Sequence, residues 1–229
     1  MSVVTLCPCN HKLVSNFIKG GSDMNLTEIP DIVVGRLPIY LRALSIMQTA
    51  GQEITSSHEL GEKLGISSAQ IRKDLSHFGE FGKQGTGYRI THLQDQLRRI
   101  LKVDRVWEVA LVGMGDVGHA LARYGGLKDR GFHVALAFDN DPAKIGQSIG
   151  DLIIDDVALL PDMVQQRGVK VSMLAVTVKA AQAVADLCVK GGIKAILNYA
   201  PINLTVPDDV HVQYIDPVTH LQRMTYYLA

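Results

Sequence analysis

The stretch Val106-Trp107-Glu108-Val109-Ala110-Leu111-Val112-Gly113-Met114-Gly115-Asp116-Val117-Gly118 decides how this chain is read. Its first seven residues are a short apolar run, the pattern of a strand buried on both faces. The run opens directly into G-x-G-x-x-G and a helical pattern over 117–124. Each glycine has its own task in such a unit: Gly113 permits the tight turn, Gly115 lets backbone approach a pyrophosphate, and Gly118 lets the helix pack on the strand. Met114, Asp116 and Val117 complete the loop, and the N–H groups at the helix start attract phosphate. A second apolar run, 134–138, ends in Asp139, 21 positions beyond Gly118. An acid there accepts hydrogen bonds from adenosine ribose hydroxyls and repels a 2′-phosphate, so the pattern predicts NAD(H) rather than NADP(H).

Working outward, the downstream chain alternates. Helix patterns over 157–166 and 179–190 separate strand patterns over 171–176, 195–197 and 210–215. Alternation of this kind predicts an α/β domain over 105–212, a Rossmann-like doubly wound parallel sheet with helices on both faces. The final stretch, 213–229, reads as an apolar helix rich in Tyr and Leu that must pack against something.

Upstream, residues 29–104 have a different character. Pro30 stands at a helix start, and Ile32, Val33, Leu37, Tyr40, Leu41, Leu44 and Met47 recur at helical spacing up to Gly51. Ser56 with Glu59, and Ser67 with Gln70, are two capping-box spacings on either side of Gly65-Ile66, which predicts a helix-turn-helix. In its second helix Ile71, Leu75 and Phe78 form an inward stripe, leaving Ser68, Gln70, Arg72, Lys73 and Ser76 outward. Long hydrogen-bonding side chains near the start of such a helix suit base edges and phosphates. Phe81-Gly82-Lys83-Gln84-Gly85-Thr86-Gly87-Tyr88 is then a glycine-rich basic turn, the pattern of a wing, and an amphipathic helix follows over 93–101.

Composition sets the outer limits. The chain has 229 residues, 47% hydrophobic and 20% charged, enough for two modest cores. Its formal net charge is zero, which at first argues against a nucleic-acid partner, but between Gln70 and Arg105 eight bases face four acids, a local +4. Three cysteines, an odd and sparse count, fit a reducing cytoplasm. Cys7-Pro8-Cys9-Asn10-His11 has no second ligand pair at a finger-like spacing, so no metal is expected. The absence of an eighteen-residue apolar run and of a signal-like start predicts no membrane span. Residues 1–28 precede the first structural signal and are read as a disordered tail.

The rival reading is an NAD-dependent oxidoreductase with a fused helical domain. Hydride transfer needs a substrate domain and a placed acid or base. Only about ninety residues follow Asp139, enough to finish the sheet, and His211 and His220 are the late histidines available. No catalytic residue is therefore expected, and the cofactor is predicted to be sensed rather than turned over.

Five blocks, in order, carry a resemblance. They are Arg36-Leu37-Pro38-Ile39-Tyr40-Leu41-Arg42-Ala43-Leu44; Ile71-Arg72-Lys73-Asp74-Leu75-Ser76-His77-Phe78-Gly79 with Phe81-Gly82-Lys83; the glycine motif; Phe138-Asp139 with Asp141-Pro142; and Gly192-Ile193-Lys194-Ala195-Ile196-Leu197-Asn198-Tyr199-Ala200-Pro201. With them the chain resembles the Rex family of redox-sensing transcriptional repressors over roughly 29–228. The resemblance implies a homodimer, joined through the C-terminal helix, that binds double-stranded operator DNA and releases it when NADH accumulates. It implies that Lys73 reads bases, that Arg72 and Ser76 contact phosphates, and that Lys83 and Gln84 form the wing tip. It also implies that Arg42, Tyr124 and Asp216 form a network linking the first helix, the cofactor pocket and the partner's C-terminal segment. The chain departs from the family pattern in three places: Gln84 where a basic residue is common, Pro217 where phenylalanine is usual, and the loop Ala175-Val176-Thr177-Val178 where Thr-Val-Pro is usual, with Thr177, like Pro217, at the nicotinamide end of the site.

Overall fold

A computed structural model describes residues 29–82 and 86–228; the tail over 1–28 and the wing-tip residues Lys83 and Gln84 lie outside the described residues. Between Arg105 and Val106 the chain divides into two compact units.

The N-terminal unit is built on helices. Instead of one continuous first helix there are two, α1 (Asp31–Val34) and α2 (Leu37–Thr49). The cause is Pro38, which lacks the N–H that would bond the Val34 carbonyl and whose ring crowds it, so a new helix starts with proline in its first turn. On α2, Leu37, Tyr40, Leu44 and Met47 are buried at i, i+3, i+7 and i+10. They meet Leu60 of α3 (Ser57–Leu64), Ile71 and Leu75 of α4 (Ser68–Ser76), and Ile90, Leu93 and Leu97 of α5 (Ile90–Ile100) in one core. Each such side chain contributes about 1.5–3 kcal/mol by leaving water. The Ser56 hydroxyl accepts from the Glu59 N–H at 3.1 Å and Ser67 from Gln70 at 3.2 Å, so both caps form and α3 and α4 make the helix-turn-helix. Two short strands, β1 (Ile54–Thr55) and β2 (Tyr88–Arg89), pair antiparallel at the base of the wing segment.

The C-terminal unit contains a seven-stranded sheet: β3 (Trp107–Val112), β4 (Phe132–Asp139), β5 (Ser148–Ile149), β6 (Leu152–Asp156), β7 (Val171–Leu174), β8 (Ala195–Asn198) and β9 (His211–Tyr214). Their order is β5-β6-β4-β3-β7-β8-β9, parallel throughout except for β5. The chain winds from β3 toward β6, then returns past β3 toward β9, so winding reverses between β3 and β7. This doubly wound α/β topology was expected; strands β5 and β6 were not, since two residues are too few for a periodic signal and the apolar part of β6 is only Leu152-Ile153-Ile154. The helices are α6 (Asp116–Ala122), α7 (Leu160–Arg167) and α8 (Val178–Lys190). Two cores lie against the sheet, one containing Val112, Phe138, Val184 and Ile196, the other Leu111, Met114, Ala137 and Met173. The last helix, α9 (Pro217–Thr225), buries none of its residues.

Candidate functional site

The carboxyl ends of β3 and β7 flank the reversal point, where open sheets of this type hold their ligands. Gly113, with φ of +93°, ends β3 there; a Cβ on it would stand 2.5 Å from the Ala175 carbonyl oxygen of the facing loop. A Cβ on Gly118 would lie 1.9 Å from the Gly113 carbonyl oxygen. Both positions are therefore demanded by the fold itself. Gly115 differs: its φ of −83° suits any residue and nothing lies within 4 Å of where a Cβ would stand. No intramolecular contact asks for glycine here, whereas an approaching pyrophosphate would. The Met114 side chain is fully buried, so only its backbone faces the loop, while Asp116 and Val117 are exposed.

Asp139 sits at the end of β4 and is 6% exposed. Its Oδ2 accepts from the Met114 N–H at 2.6 Å and from Lys144 Nζ at 3.3 Å, and its Oδ1 accepts from the Asp141 N–H at 2.9 Å. Burial pushes this carboxyl up, but the Met114 and Asp141 amides and Lys144 outweigh it and hold it below the ordinary aspartate range. Asp139 thus stays ionised, and three of its four acceptor positions are occupied, one of them tying the glycine loop to β4. Sequence reasoning missed both this clamp and Lys144, which also lies 3.8 Å from Asp141. The available signal was the Asp-x-Asp-x-x-Lys spacing after β4. At the carboxyl end of β8, buried Asn198 donates to the Ala200 and Ile202 carbonyls and accepts from the Ala200 N–H, which fixes the next loop.

Tyr124 is exposed just beyond α6, and Asp216 caps α9 by accepting from the Val218 N–H at 2.9 Å. Arg42 is exposed on α2, in the other unit.

On α4, Arg72, Lys73 and Ser76 are exposed. Arg72 Nη1 donates to Ser57 Oγ at 3.0 Å, and Ser76 Oγ donates to the Lys73 carbonyl at 2.8 Å. Gln70 does not return its side chain to the helix start as a full capping box would. Its Nε2 instead donates to Asp74 Oδ1 at 2.7 Å. Asp74 is completely buried and also receives Arg36 Nε at 2.5 Å, Arg36 Nη2 at 2.7 Å and the Tyr40 hydroxyl at 2.5 Å. Burial raises the Asp74 carboxyl, but the hydrogen bonds from Arg36, Tyr40 and Gln70 outweigh it and hold it low; burial and Asp74 together push the Tyr40 phenol up. This four-donor cluster ties the α1–α2 junction to α4. Sequence reading missed it because Arg36 and Asp74 are 38 positions apart.

Residues 28–76 match the family model for the N-terminus of DNA-binding proteins, and residues 104–202 match the model of a CoA binding domain. The redox-sensing transcriptional repressor Rex of Chloroflexus aurantiacus is 52% identical over 200 residues, 87% of this chain and 94% of that protein. The chain belongs to the Rex family of redox-sensing transcriptional repressors. The Rex of Brevibacillus brevis is 40% identical over 202 residues, covering 88% of this chain and 98% of its own length. Among solved structures, the Rex-family repressor RSP in complex with β-NAD+ and operator DNA has a TM-score of 0.83 and 36% identity, covering 88% of this chain and 93% of that one. RSP in complex with β-NADH has a TM-score of 0.81 and 34% identity, over 88% and 95% of the two chains. The CoA-binding match spans the strand–glycine–helix unit from β3 to α6.

Proposed function

We propose that this chain is a homodimeric transcriptional repressor that senses the NADH/NAD+ ratio, binding operator DNA through α3 and α4 and leaving it when NADH occupies the crevice at the end of β3. The observation that carries this reading is Gly115, glycine without an intramolecular reason, in the chain that also holds the helix-turn-helix. The RSP complexes, with β-NAD+ and operator DNA in one and β-NADH in the other, support it.

In this reading residues 29–104 bind DNA, 105–212 bind NAD(H), and 213–229 join two subunits. Lys73 and Gln70 meet base edges, Arg72 and Ser76 meet phosphates, and Lys83 and Gln84 are the tip of a wing that lies on the backbone or enters a minor groove. Backbone N–H groups over Gly113-Met114-Gly115-Asp116-Val117-Gly118 hold the pyrophosphate, and the fourth acceptor position of Asp139 takes a ribose hydroxyl. The nicotinamide ring carries a positive charge when oxidised and none when reduced, which is the difference to be sensed. Arg42, Tyr124 and Asp216 would carry that difference between the units. Because an Arg–Asp pair is made or broken by a small rotation, such a network can act as a switch. The rival dehydrogenase reading asks for a placed acid or base, but His211 and His220 are both exposed, on the edge strand β9 and on α9. We place the protein in the cytoplasm, without catalysis of its own; among the described residues no helix is long and apolar enough to cross a membrane.

The test is a duplex selected from a random library and titrated with the full-length protein. NADH should weaken binding by about 5- to 150-fold, and the duplex must weaken NADH binding by the same factor. Equal operator affinity with and without NADH removes the switch and leaves DNA binding standing.

Two further outcomes follow from the residues. Asp139→Asn keeps the shape but loses the charge, and should weaken NADH by about 10- to 100-fold while operator affinity without NADH is retained; unchanged calorimetric titration of NADH contradicts the ribose assignment. On α9, Leu221 and Met224 are 58% and 62% exposed and Leu228, just beyond, is 79% exposed, at i, i+3 and i+7. An apolar stripe of this kind favours a subunit contact. Leu221→Asp should give monomers in sedimentation experiments, and a persistent dimer would place the interface elsewhere.

A further inference from the structure

Resting on the operator reading above, we infer that Gln70 reads an adenine in the major groove through an amide edge whose orientation Asp74 sets. Gln70 is the third residue of α4, and it lies three positions before the exposed Lys73, so the two side chains are neighbours on the helix surface. Its Nε2 donates to Asp74 Oδ1 at 2.7 Å. Asp74 is wholly buried, and its two oxygens take four donors: Arg36 Nε and Tyr40 Oη on Oδ2, and Arg36 Nη2 and Gln70 Nε2 on Oδ1.

A carboxylate accepts only, so the atom Gln70 turns toward it must be the nitrogen. The amide therefore cannot flip without placing Oε1 against a saturated anion. Its remaining edge offers one acceptor, Oε1, and one donor, the second N–H. In the major groove adenine offers the complementary pair, the N6 amino donor and the N7 acceptor, whereas guanine offers only the acceptors O6 and N7. A freely rotating glutamine could present its nitrogen to guanine; one anchored through Asp74 meets guanine O6 with its own oxygen. Asp74 is accordingly a positioning residue, held by the Arg36 fork and Tyr40 on the other side. The half-buried state of Gln70 fits an anchored side chain with one edge left open.

The test uses the full-length protein and a random duplex library. Wild type should enrich adenine at one position in each half-site, and Gln70→Met should lose that preference while keeping the others. At that position, replacing adenine by 7-deazaadenine removes N7 and should weaken wild type roughly tenfold and Gln70→Met not at all, since a bidentate base contact is worth about 10- to 100-fold. Asp74→Asn should narrow adenine-over-guanine selection at the same position, whereas a purely structural loss weakens all duplexes alike. Unchanged selection by Gln70→Met, or guanine at the Gln70-dependent position, overturns the proposal and leaves the operator reading intact. Failure of wild type to enrich any sequence overturns both.

Discussion

Gly118→Ala is expected to cost the C-terminal unit at least ~3 kcal/mol and to abolish measurable NADH binding, whereas Gly115→Ala should leave stability within about 0.5 kcal/mol of wild type and still lose NADH affinity. The contrast comes from what each methyl would meet. On Gly118 it would lie 1.9 Å from the Gly113 carbonyl oxygen, and Gly113 cannot retreat because it is wedged against the Ala175 carbonyl at a positive φ. Relief requires α6 to lift off β3, and the phosphate loop opens with it. On Gly115 the methyl meets nothing among the described residues, and the backbone is extended in a region open to any residue. The only group it could displace is a ligand pressed against the loop, which puts the loss of NADH affinity at about 10- to 100-fold. Thermal unfolding followed by circular dichroism, paired with calorimetric NADH titration, separates the two effects. If Gly115→Ala binds NADH as wild type does, the pyrophosphate does not lie on this loop.

Arg36→Ala should destabilise the N-terminal unit by about 3–5 kcal/mol, because it strands a buried carboxylate. Asp74 is completely buried and Arg36 supplies two of its four hydrogen bonds. A loss of this size is a large part of the about 5–15 kcal/mol that holds a typical domain folded, so operator binding should fail with it. The pH dependence has a definite sign. In the native protein the Asp74 carboxyl is held low, so its contribution is fully present above the ordinary aspartate value of about 3.9 and is lost as pH falls through the native value. Without Arg36 burial dominates and raises that carboxyl, so acid protonates it early and the deficit of the variant shrinks as pH drops toward 4. Urea unfolding of both proteins at pH 7 and pH 4 measures this directly. A difference below about 1 kcal/mol at pH 7 would mean that the pair is open to solvent, contrary to its burial.

The two structural classes in this chain were legible for different reasons. The strand–glycine–helix pattern and the two serine caps are local: each uses residues within one turn or one strand, and the caps form as their spacing predicts. The first helix was misjudged at Pro38, though proline carries its own signal, because the apolar stripe runs on through the break. Gln70 and Asp139 show the opposite limit. Both stand where the residue pattern put them, yet each makes hydrogen bonds that change its chemistry. Gln70 turns to Asp74 instead of capping, and Asp139 ties down Met114 and pairs with Lys144.

The sequence by itself determined the α/β domain, the helix-turn-helix, the placing of the glycines and the family resemblance, because hydrophobic period, capping and turn chemistry act between near neighbours in the chain. Only the tertiary structure decided which glycine answers to the fold and which to a ligand, and which side chains saturate Asp74 and Asp139. Those questions turn on atoms brought within 3 Å from positions as far as 62 residues apart, Gly113 and Ala175, and no pattern along the chain records such distances.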